Sequence, residues 1–370
     1  MTDVVVIGGG IAGISVAALL SERVDVVLLE QESVLTYHST GRSAALYFES
    51  YGNEQSRPLS RASKPFLLEP PCNLVDGPLL SPRGALYVAR REQLGALQAK
   101  LDADTAREFE RLDENEVVRL QSYIRDGYAA AGLYDSAAMD IDVAGFHQAY
   151  VRWFRMNGGQ IETSTPVVDL IRGPTSWTIK TKTALIHADV VVNASGAWGD
   201  VMAAMAGAHP VGLRPLRRTA FTVRGDLALA HTPLAADIEM AFYFKPDGKQ
   251  VLCSLAEEEL DEPCDARPRE IDVALAIDLI NEATTLDIRH VRSSWTGHRT
   301  FAPDDIPVTG FDPEIETFFW LAGQGGTGIQ TAHGAAQMAA GMIIDGTPPP
   351  HLLAEGLDTE AMAPDRFRAG

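Results

Sequence analysis

Three glycines near the start of the chain have the spacing of a turn that binds phosphate. Gly8, Gly10 and Gly13 form a G-x-G-x-x-G pattern, and an acid, Glu30, follows at the distance typical of a ribose-binding carboxylate. The first glycine allows a tight turn, the second lets the backbone approach a pyrophosphate, and the third lets a helix pack closely on a strand. The acid also disfavours a 2′-phosphate. The pattern predicts a dinucleotide site, and an ordinary glycine-rich turn is the alternative.

Two arginines and a tyrosine in the second half of the chain are candidates for holding an anion. Arg218, Tyr243 and Arg299 each lie among apolar residues in a predicted strand. An arginine is costly to bury unless an anion meets its guanidinium. By itself, this pattern is compatible both with an anionic ligand and with structural salt bridges.

The elements around the first glycines are those that a dinucleotide site requires. Residues 4–7 form an apolar run typical of a strand buried on both faces. Apolar residues then recur at helical spacing from residue 11 to about 20, and residues 25–29 predict a second strand. This order places the N-terminus of the helix, with its free N–H groups and positive dipole end, beside the phosphates.

Three later segments have side chains or glycines that suit the same ligand. In the polar loop 31–43, Ser39, Thr40, Arg42 and Ser43 can donate hydrogen bonds to a phosphate or a ring edge, and a plain solvated loop is the alternative. An apolar strand at 188–192 leads into the turn NASGAW. A strand at 318–322 leads into GQGGTGIQT, a glycine-dense turn before an alanine-rich helix that ends near residue 344.

The remaining segments predict β-structure with a few helices. Strands of an antiparallel sheet are indicated by PLRRTAFTV, MAFYFKP, QVLCSLA and RSSWTGHRTF. Helices are predicted over 93–112, 143–156 and 266–283. A chain of 370 residues is expected to form two domains.

Together, the motifs GGGIAG, YHSTGRSAA and GQGGTGIQT resemble the D-amino-acid oxidase/dehydrogenase superfamily of FAD enzymes, and most of all its bacterial D-arginine dehydrogenases. The resemblance covers nearly the whole chain. It implies an α/β fold (α+β overall), with a Rossmann-type FAD-binding domain at 1–45, 139–212 and 301–370. An interleaved, mainly antiparallel-sheet substrate domain would occupy 46–138 and 213–300.

The resemblance also implies FAD as the cofactor and assigns the residues that hold it. They are Gly8, Gly10, Ile11, Ala12, Gly13, Glu30, Gln31, Ser39, Thr40, Arg42, Ser43, Ala44, Val167, Ser195, Gly196, Trp198, Arg299, Gly325, Gly326, Thr327, Gly328, Ile329 and Gln330.

The predicted catalytic residues come from the same resemblance. Arg218, Tyr243 and Arg299 would clamp a substrate carboxylate, and the carbonyl of Gly326 would accept the substrate amine. A guanidinium fork with a phenol suits a planar carboxylate and orients the Cα–H toward the flavin. The implied reaction passes the Cα hydrogen as a hydride to flavin N5. Water then hydrolyses the imino acid to a 2-oxo acid and ammonia.

This chain departs from the arginine-type members at the predicted substrate pocket. Leu46 stands where they have a histidine, Ala85 where they have a glutamate, and Phe48 where they have a polar residue. A cationic side chain would lose its partner there, so we predict a D-amino acid with a neutral or apolar side chain. Tyr51 is a candidate wall of the pocket. The family role of the missing histidine in substrate orientation or proton handling is left open.

Two other functions are compatible with these motifs. One is FAD-dependent oxidation of a secondary amine, an imino acid or a biosynthetic amine intermediate. The other is a non-catalytic flavin-binding subunit of a larger complex. In an enzyme of either substrate class, the electrons would pass to oxygen, a quinone or another carrier.

Composition bounds the partners and the location. A net charge of −19 argues against nucleic acid and anionic membrane surfaces, and no apolar run has the length of a membrane span. Cys72, Cys253 and Cys264 are scattered, which indicates neither a disulfide framework nor a metal site. Because the first strand begins close to Met1, we expect no cleavable signal peptide and a cytoplasmic protein.

Overall fold

Two large β-sheets with helices packed on them form the computed structural model, which describes residues 2–104 and 109–368. Within these residues the strands are β1 (Thr2–Ile7), β2 (Val26–Leu29), β3 (Leu46–Tyr47), β4 (Leu80–Pro82), β5 (Ala85–Ala89), β6 (Glu110–Asp113), β7 (Ala131–Asp135), β8 (Met139–Ile141), β9 (Gln160–Glu162), β10 (Val167–Arg172), β11 (Trp177–Thr181), β12 (Leu185–Asn193), β13 (Arg214–Arg224), β14 (Leu234–Asp237), β15 (Tyr243–Asp247), β16 (Gln250–Ser254), β17 (Glu259–Leu260), β18 (Ser293–Phe301), β19 (Val308–Phe311) and β20 (Phe318–Ala322). The α-helices are α1 (Ile11–Leu20), α2 (Ser56–Leu68), α3 (Leu94–Asp102), α4 (Glu114–Leu120), α5 (Val143–Met156), α6 (Gly199–Ala206), α7 (Glu270–Ala283), α8 (Ala332–Asp345) and α9 (Pro350–Ala354). Among these helices, none is long and apolar enough to span a membrane.

The first sheet contains the strands predicted around the glycine turn. It has eight strands, in the order β10-β11-β12-β1-β2-β9, with β20 joined to β12 and β19 joined to β20. β1 runs parallel to β2 and to β12, and the register pairs Ile7 with both Leu29 and Asn193. The three strands therefore end side by side, so the segments that follow them meet at one edge of the sheet.

The second sheet is mainly antiparallel and takes its strands from two separate stretches of the chain. Its order is β17-β13-β16-β15-β14-β5-β7-β6, with β18 paired to β13. In the β13–β18 pair, Arg218 lies opposite Gly297 and Leu216 lies opposite Arg299. Residues opposite each other share a face, so the two arginines are diagonal neighbours on one face of the sheet. The α/β fold class predicted from the sequence is confirmed.

Helix α1 is apolar on all sides because other elements surround it. Its residues Ile14, Val16 and Ala17 are fully buried between the first sheet and helices α5 and α8. Each large apolar side chain buried in this way stabilises the fold by roughly 1.5–3 kcal/mol. The packing holds the N-terminus of α1 in place at the sheet edge where β1, β2 and β12 end.

The structure confirms the helix predicted over 143–156 and corrects three other segments. The helix predicted over 93–112 is wrong: α3 ends at Asp102, residues 105–108 lie outside the described residues, and 110–113 form β6. The charged pattern there has helical spacing, but pairing with β7 determines the conformation. The helix predicted over 266–283 begins only at Glu270. The sequence does not predict α2, because Pro58 and Pro65 lie within it and proline usually ends a helix.

The predicted FAD-binding segments also include residues at the ends of the chain. Met1, Ala369 and Gly370 lie outside the described residues.

A buried histidine joins the three helices α2, α5 and α8. Nδ1 of His333 and the Tyr150 hydroxyl form a hydrogen bond of 2.8 Å, and the imidazole stacks on Phe66 with 4.3 Å between ring centroids. Burial lowers the pKa of His333 from 6.5 to about 4. The imidazole is therefore neutral in the folded protein at pH 7.

We expect the neutral His333 to make stability depend on pH. Above pH 6.5 its contribution is fully present; as the pH falls from 6.5 to about 4, only the unfolded chain takes up the proton, so the free energy of unfolding falls. The loss between pH 7 and pH 4 should be about 2 to 3 kcal/mol. Thermal unfolding of wild type and His333→Phe at several pH values measures it, and the variant should show a shallower pH dependence. Asn in place of His209, whose side chain is 73% exposed, is the control; equal pH dependence in all three proteins would contradict the prediction.

Candidate active site

A long cleft runs along the edge of the first sheet where β1, β2 and β12 end, and it reaches the second sheet. It encloses about 1550 Å³ when its open mouth is counted. Its walls are the glycine turn before α1, the polar loop after β2, the ends of β12 and β18, and the turn after β20. The cleft is large enough for a long ligand with chemically different parts.

The structure brings most of the predicted site residues together in this cleft. On its wall are Gly8, Gly10, Ile11, Ala12, Glu30, Gln31, Ser39, Thr40, Arg42, Ser43, Ala44, Val167, Ser195, Gly196, Trp198, Arg218, Tyr243, Arg299, Gly325, Gly326, Gly328 and Ile329. Three predicted cofactor residues, Gly13, Thr327 and Gln330, are not on the wall. Wall residues that the sequence does not single out include Gly9, Thr36, Tyr37, His38, Gly297, His298, Thr300 and Gln324.

The glycines of the first turn are required by backbone contacts. Gly8 has φ of +112°, which is rare for residues with a side chain, and a Cβ there would overlap the carbonyl oxygen of Ala194. A Cβ at Gly13 would overlap the carbonyl oxygen of Gly8. Gly13 therefore sets the contact between α1 and β1, which is the packing role expected of the third glycine.

Two side chains hold the turn and face the cleft. Glu30 is buried, and its carboxylate accepts hydrogen bonds from the N–H of Gly9 at 2.7 Å and from the N–H of Glu32 at 2.9 Å. Thr40 Oγ1 accepts a hydrogen bond from the N–H of Ile11, at the start of α1, at 3.0 Å. A carboxylate has about four acceptor positions, so Glu30 can hold the turn and still accept hydrogen bonds from a ribose. Gly9, the central glycine of the GGG run, takes part in this arrangement through its backbone N–H.

Arg42 lies on the cleft wall, but its charge is engaged elsewhere. Its guanidinium donates to the carbonyl oxygens of Tyr37, Ala266 and Thr296 at 2.8 to 3.0 Å, and to Asp265 at 2.6 Å. Most of its N–H groups already have acceptors, and the predicted hydrogen bonds from Arg42 to a pyrophosphate or flavin stay a prediction. Arg42 ties the polar loop to β18 and to the segment before α7.

The turn after β20 brings a glycine close to the second arginine. Gln330 donates to a serine hydroxyl of α2 at 2.9 Å, and Thr327 donates to a carbonyl oxygen within the turn at 2.9 Å. These two side chains stabilise the turn from behind, which explains why neither lines the cleft. A Cβ at Gly326 would lie 2.5 Å from the Tyr51 hydroxyl and 3.2 Å from Nη1 of Arg299. A glycine at this position therefore permits the close approach.

Arg218 and Arg299 reach the cleft from β13 and β18. Their side chains are only 8% and 24% exposed. Arg218 donates from Nε to the carbonyl oxygen of Glu257 and from Nη2 to Glu258 at 2.8 Å, whereas its Nη1 is buried and has no partner in the described part of the chain. Burial, followed by the neighbouring Arg299, lowers the pKa of Arg218, although a guanidinium stays charged at pH 7. Two neighbouring cations with an unused donor form a site suited to an anion.

The four residues predicted to line the substrate pocket are Leu46, Phe48, Tyr51 and Ala85. Ala85 and Tyr243 belong to one buried apolar cluster, and Leu46 and Phe48 pack against it. Tyr51 packs edge-on against Phe48 with 5.1 Å between ring centroids, and its hydroxyl accepts a hydrogen bond from Arg299 at 3.3 Å. None of the four lines the cleft as far as the described residues form it, but Tyr51 touches the arginine pair directly.

A cluster of possible metal ligands includes His298 of β18. The ligand atoms of Asp261, Cys264 and His298 are within 4.8 Å of one another. One carboxylate oxygen of Asp261 accepts a hydrogen bond from Arg217 at 2.8 Å and lies 3.1 Å from Nε2 of His298. The guanidinium neutralises this carboxylate and repels a cation, so an ion-paired cluster describes the group better than a metal site.

Comparison with known proteins also indicates that the cleft binds a dinucleotide. The family model described as FAD dependent oxidoreductase matches residues 3–342. FAD-dependent oxidoreductase domain-containing protein 1 of Mus musculus is 25% identical over 93% of this chain and 81% of its own length. Mitochondrial dimethylglycine dehydrogenase of Homo sapiens is 26% identical over 95% of this chain, which spans only 43% of that relative.

Solved structures share the fold over nearly the whole chain. L-proline dehydrogenase from P. horikoshii has a TM-score of 0.85 at 18% identity, covering 99% of this chain and 98% of its own. Glycine oxidase from Geobacillus kaustophilus has a TM-score of 0.82 at 18% identity, covering 94% and 95%. The buried acid and the two glycine turns fit a dinucleotide. The family model matches most of this chain. The chain therefore belongs to the FAD dependent oxidoreductase family, and FAD is its cofactor.

Proposed function

We propose that this protein oxidises a D-amino acid with a neutral or apolar side chain to the imino acid, which water hydrolyses to a 2-oxo acid and ammonia. One observation carries the proposal: Arg218, Tyr243 and Arg299 line the same cleft as both glycine turns. We call these three residues the clamp. A carboxylate bound by the clamp would keep its Cα inside the cleft that takes FAD.

Each of the proposed residues has one task. The two guanidinium groups would bind the carboxylate in a fixed plane, and this fixes which substituent of Cα points along the cleft. The carbonyl of Gly326 would accept a hydrogen bond from the amine. FAD supplies the two-electron acceptor when it is bound. We propose that oxygen, a quinone or another carrier then accepts the electrons.

The preference for a neutral side chain follows from the apolar cluster beside the clamp. Leu46, Phe48 and Ala85 bring no charge to it. An acid, Asp135, does pair with Ala85 across β5 and β7. Its oxygens, however, accept hydrogen bonds from the Ser50 hydroxyl at 3.0 Å and from a backbone N–H at 2.9 Å. Two acceptor positions of Asp135 are therefore used within the chain, and we keep the likeness to D-arginine dehydrogenases as a prediction about the site and not about its substrate.

A secondary amine, an imino acid or a biosynthetic amine intermediate is the second candidate substrate. The names of two similar proteins, a dimethylglycine dehydrogenase and an L-proline dehydrogenase, favour it, because both denote substrates with an alkylated nitrogen. A non-catalytic flavin-binding subunit is the third candidate. The position of Arg218, Tyr243 and Arg299 in the same cleft as the glycine turns argues against this third function.

The arrangement of the sheets supports the predicted division into two domains. We propose that the first sheet with its helices is the FAD-binding domain, and that the second sheet belongs to the substrate domain, with the boundaries predicted above. We also keep the cytoplasm as the proposed location.

Anaerobic mixing with a panel of amines tests the proposed function. The holoenzyme is mixed with D-leucine, D-phenylalanine, D-arginine, L-proline and dimethylglycine while the visible absorbance of the flavin is followed. We expect D-leucine or D-phenylalanine to bleach the flavin fastest. Faster bleaching by D-arginine would contradict the neutral side chain, and bleaching by L-proline or dimethylglycine alone would favour the second candidate. No bleaching by any amine would favour the non-catalytic subunit.

A further inference from the structure

A glutamate of the chain itself sits on the clamp. Oε1 of Glu258 lies 2.8 Å from Nη2 of Arg218 and 3.9 Å from Nη1 of Arg299. This is the position, between two guanidinium groups, that a carboxylate oxygen of the substrate would take. We propose that Glu258 is an internal carboxylate that occupies the substrate's place on the clamp and has to leave before a substrate carboxylate binds. The inference rests on the proposed function, because it assumes that the clamp binds a carboxylate.

Contacts hold the backbone around Glu258 in place, whereas the side chain of Glu258 is half exposed to solvent. Ala256 is buried and has φ of +61°. The carbonyl oxygen of Glu257 accepts from Nε of Arg218, and the Glu257 carboxylate accepts from the N–H of Thr219. The Glu258 side chain, by contrast, is 50% exposed. Rotation of this side chain into water therefore requires no movement of the loop.

The donors of Arg218 show why the two carboxylates compete. Nε is engaged by the backbone, Nη2 is engaged by Glu258, and Nη1 is buried without a partner among the described residues. A substrate carboxylate that binds Arg218 bidentately through Nη1 and Nη2 needs Nη2 to be released. One carboxylate then replaces another, so the two arginines have a counter-charge both before and after the substrate binds.

The exchange sets the affinity for the substrate. Binding is weakened by the free energy that the Glu258 ion pair contributes, which is small because the glutamate is half exposed. Removing the charge of Glu258 leaves both arginines underneutralised, so an external carboxylate should bind more tightly. A glutamate that instead assisted the binding of the substrate would give the opposite result when removed.

Benzoate, a carboxylate without an amine, tests the inference without turnover. It is titrated into holoenzyme of wild type, Glu258→Gln and Glu262→Gln while the flavin absorbance is followed. Glu262 is the matched control, because it is exposed shortly after β17 and pairs with no arginine in the described part of the chain. We expect E258Q to lower the Kd of benzoate by about twofold to fivefold and E262Q to change it by less than about 1.5-fold. In steady state, E258Q should lower KM for the substrate found by the amine panel and leave kcat nearly unchanged.

The outcomes separate this inference from the proposed function. If wild type binds benzoate and E258Q binds it equally well or more weakly, the role of Glu258 is overturned while the clamp stands. If E258Q and E262Q tighten binding equally, a general charge effect replaces the specific one and the inference fails. If none of the three proteins binds benzoate, both the inference and the clamp are overturned. The flavin content of each variant verifies that the comparison is made on holoenzyme.

Discussion

Replacing Arg299 by lysine is expected to lower kcat/KM for the amino-acid substrate by about 10²- to 10³-fold with FAD still bound. Lysine keeps the positive charge but lacks the planar fork that holds a carboxylate in one orientation. The guanidinium also donates to the Tyr51 hydroxyl at 3.3 Å, and a shorter point charge would not reproduce this contact. A loss of about 3 to 4 kcal/mol in the transition state, at 1.4 kcal/mol per tenfold, gives the expected size.

The measurement is steady-state kinetics with the substrate identified by anaerobic mixing, together with the ratio of flavin to protein. Arg292→Lys is the matched control, because Arg292 is exposed and directly precedes β18. It should retain wild-type kcat/KM within about twofold. An R299K enzyme with unchanged kcat/KM would remove Arg299 from the clamp. Parallel losses of flavin and activity would place its main role in holding the cofactor.

The dinucleotide half of the site could be predicted from the sequence because its signals are local. The glycine spacing, the apolar strand before it and Glu30 after it all lie within one βαβ unit, and backbone sterics require the glycines. The structure accordingly has β1, α1 and β2 close to the predicted bounds. Periodicity also predicted the strands that carry Arg218 and Arg299.

The rest depends on partners that are distant in sequence. The acceptors of the Arg42 guanidinium include Asp265 and Thr296, more than 200 residues away, and no local pattern reveals that they satisfy it. The position of Glu258 on the clamp likewise depends on the pairing of β13 with β16 and β18. Residues 110–113 have a helical charge pattern but lie at a sheet edge beside β7. In each case tertiary contacts override the local preference.

Replacing Gly13 by alanine is expected to yield protein without FAD that is destabilised by about 3 kcal/mol. The added Cβ would overlap the carbonyl oxygen of Gly8. Gly8 cannot move away easily, because its φ of +112° and its contact with Ala194 fix the turn. Helix α1 cannot move either, since Ile14 and neighbouring residues are fully buried against α5 and α8. The overlap can be relieved only by opening the turn that faces the cleft, so the phosphate site is lost with it.

Gly95→Ala is the control for the same substitution in a helix. Gly95 lies in α3, and a Cβ there would meet no atom of the described residues within 4 Å. Alanine should therefore leave FAD bound and raise stability slightly, by up to about 1 kcal/mol, because it is the better helix former. The flavin-to-protein ratio and the free energy of unfolding are measured for both variants. Since the two alanines differ mainly in the space around Cβ, a G13A protein with full flavin content and G95A-like stability would show that the contact between α1 and β1 yields, and that the third glycine is not required for packing.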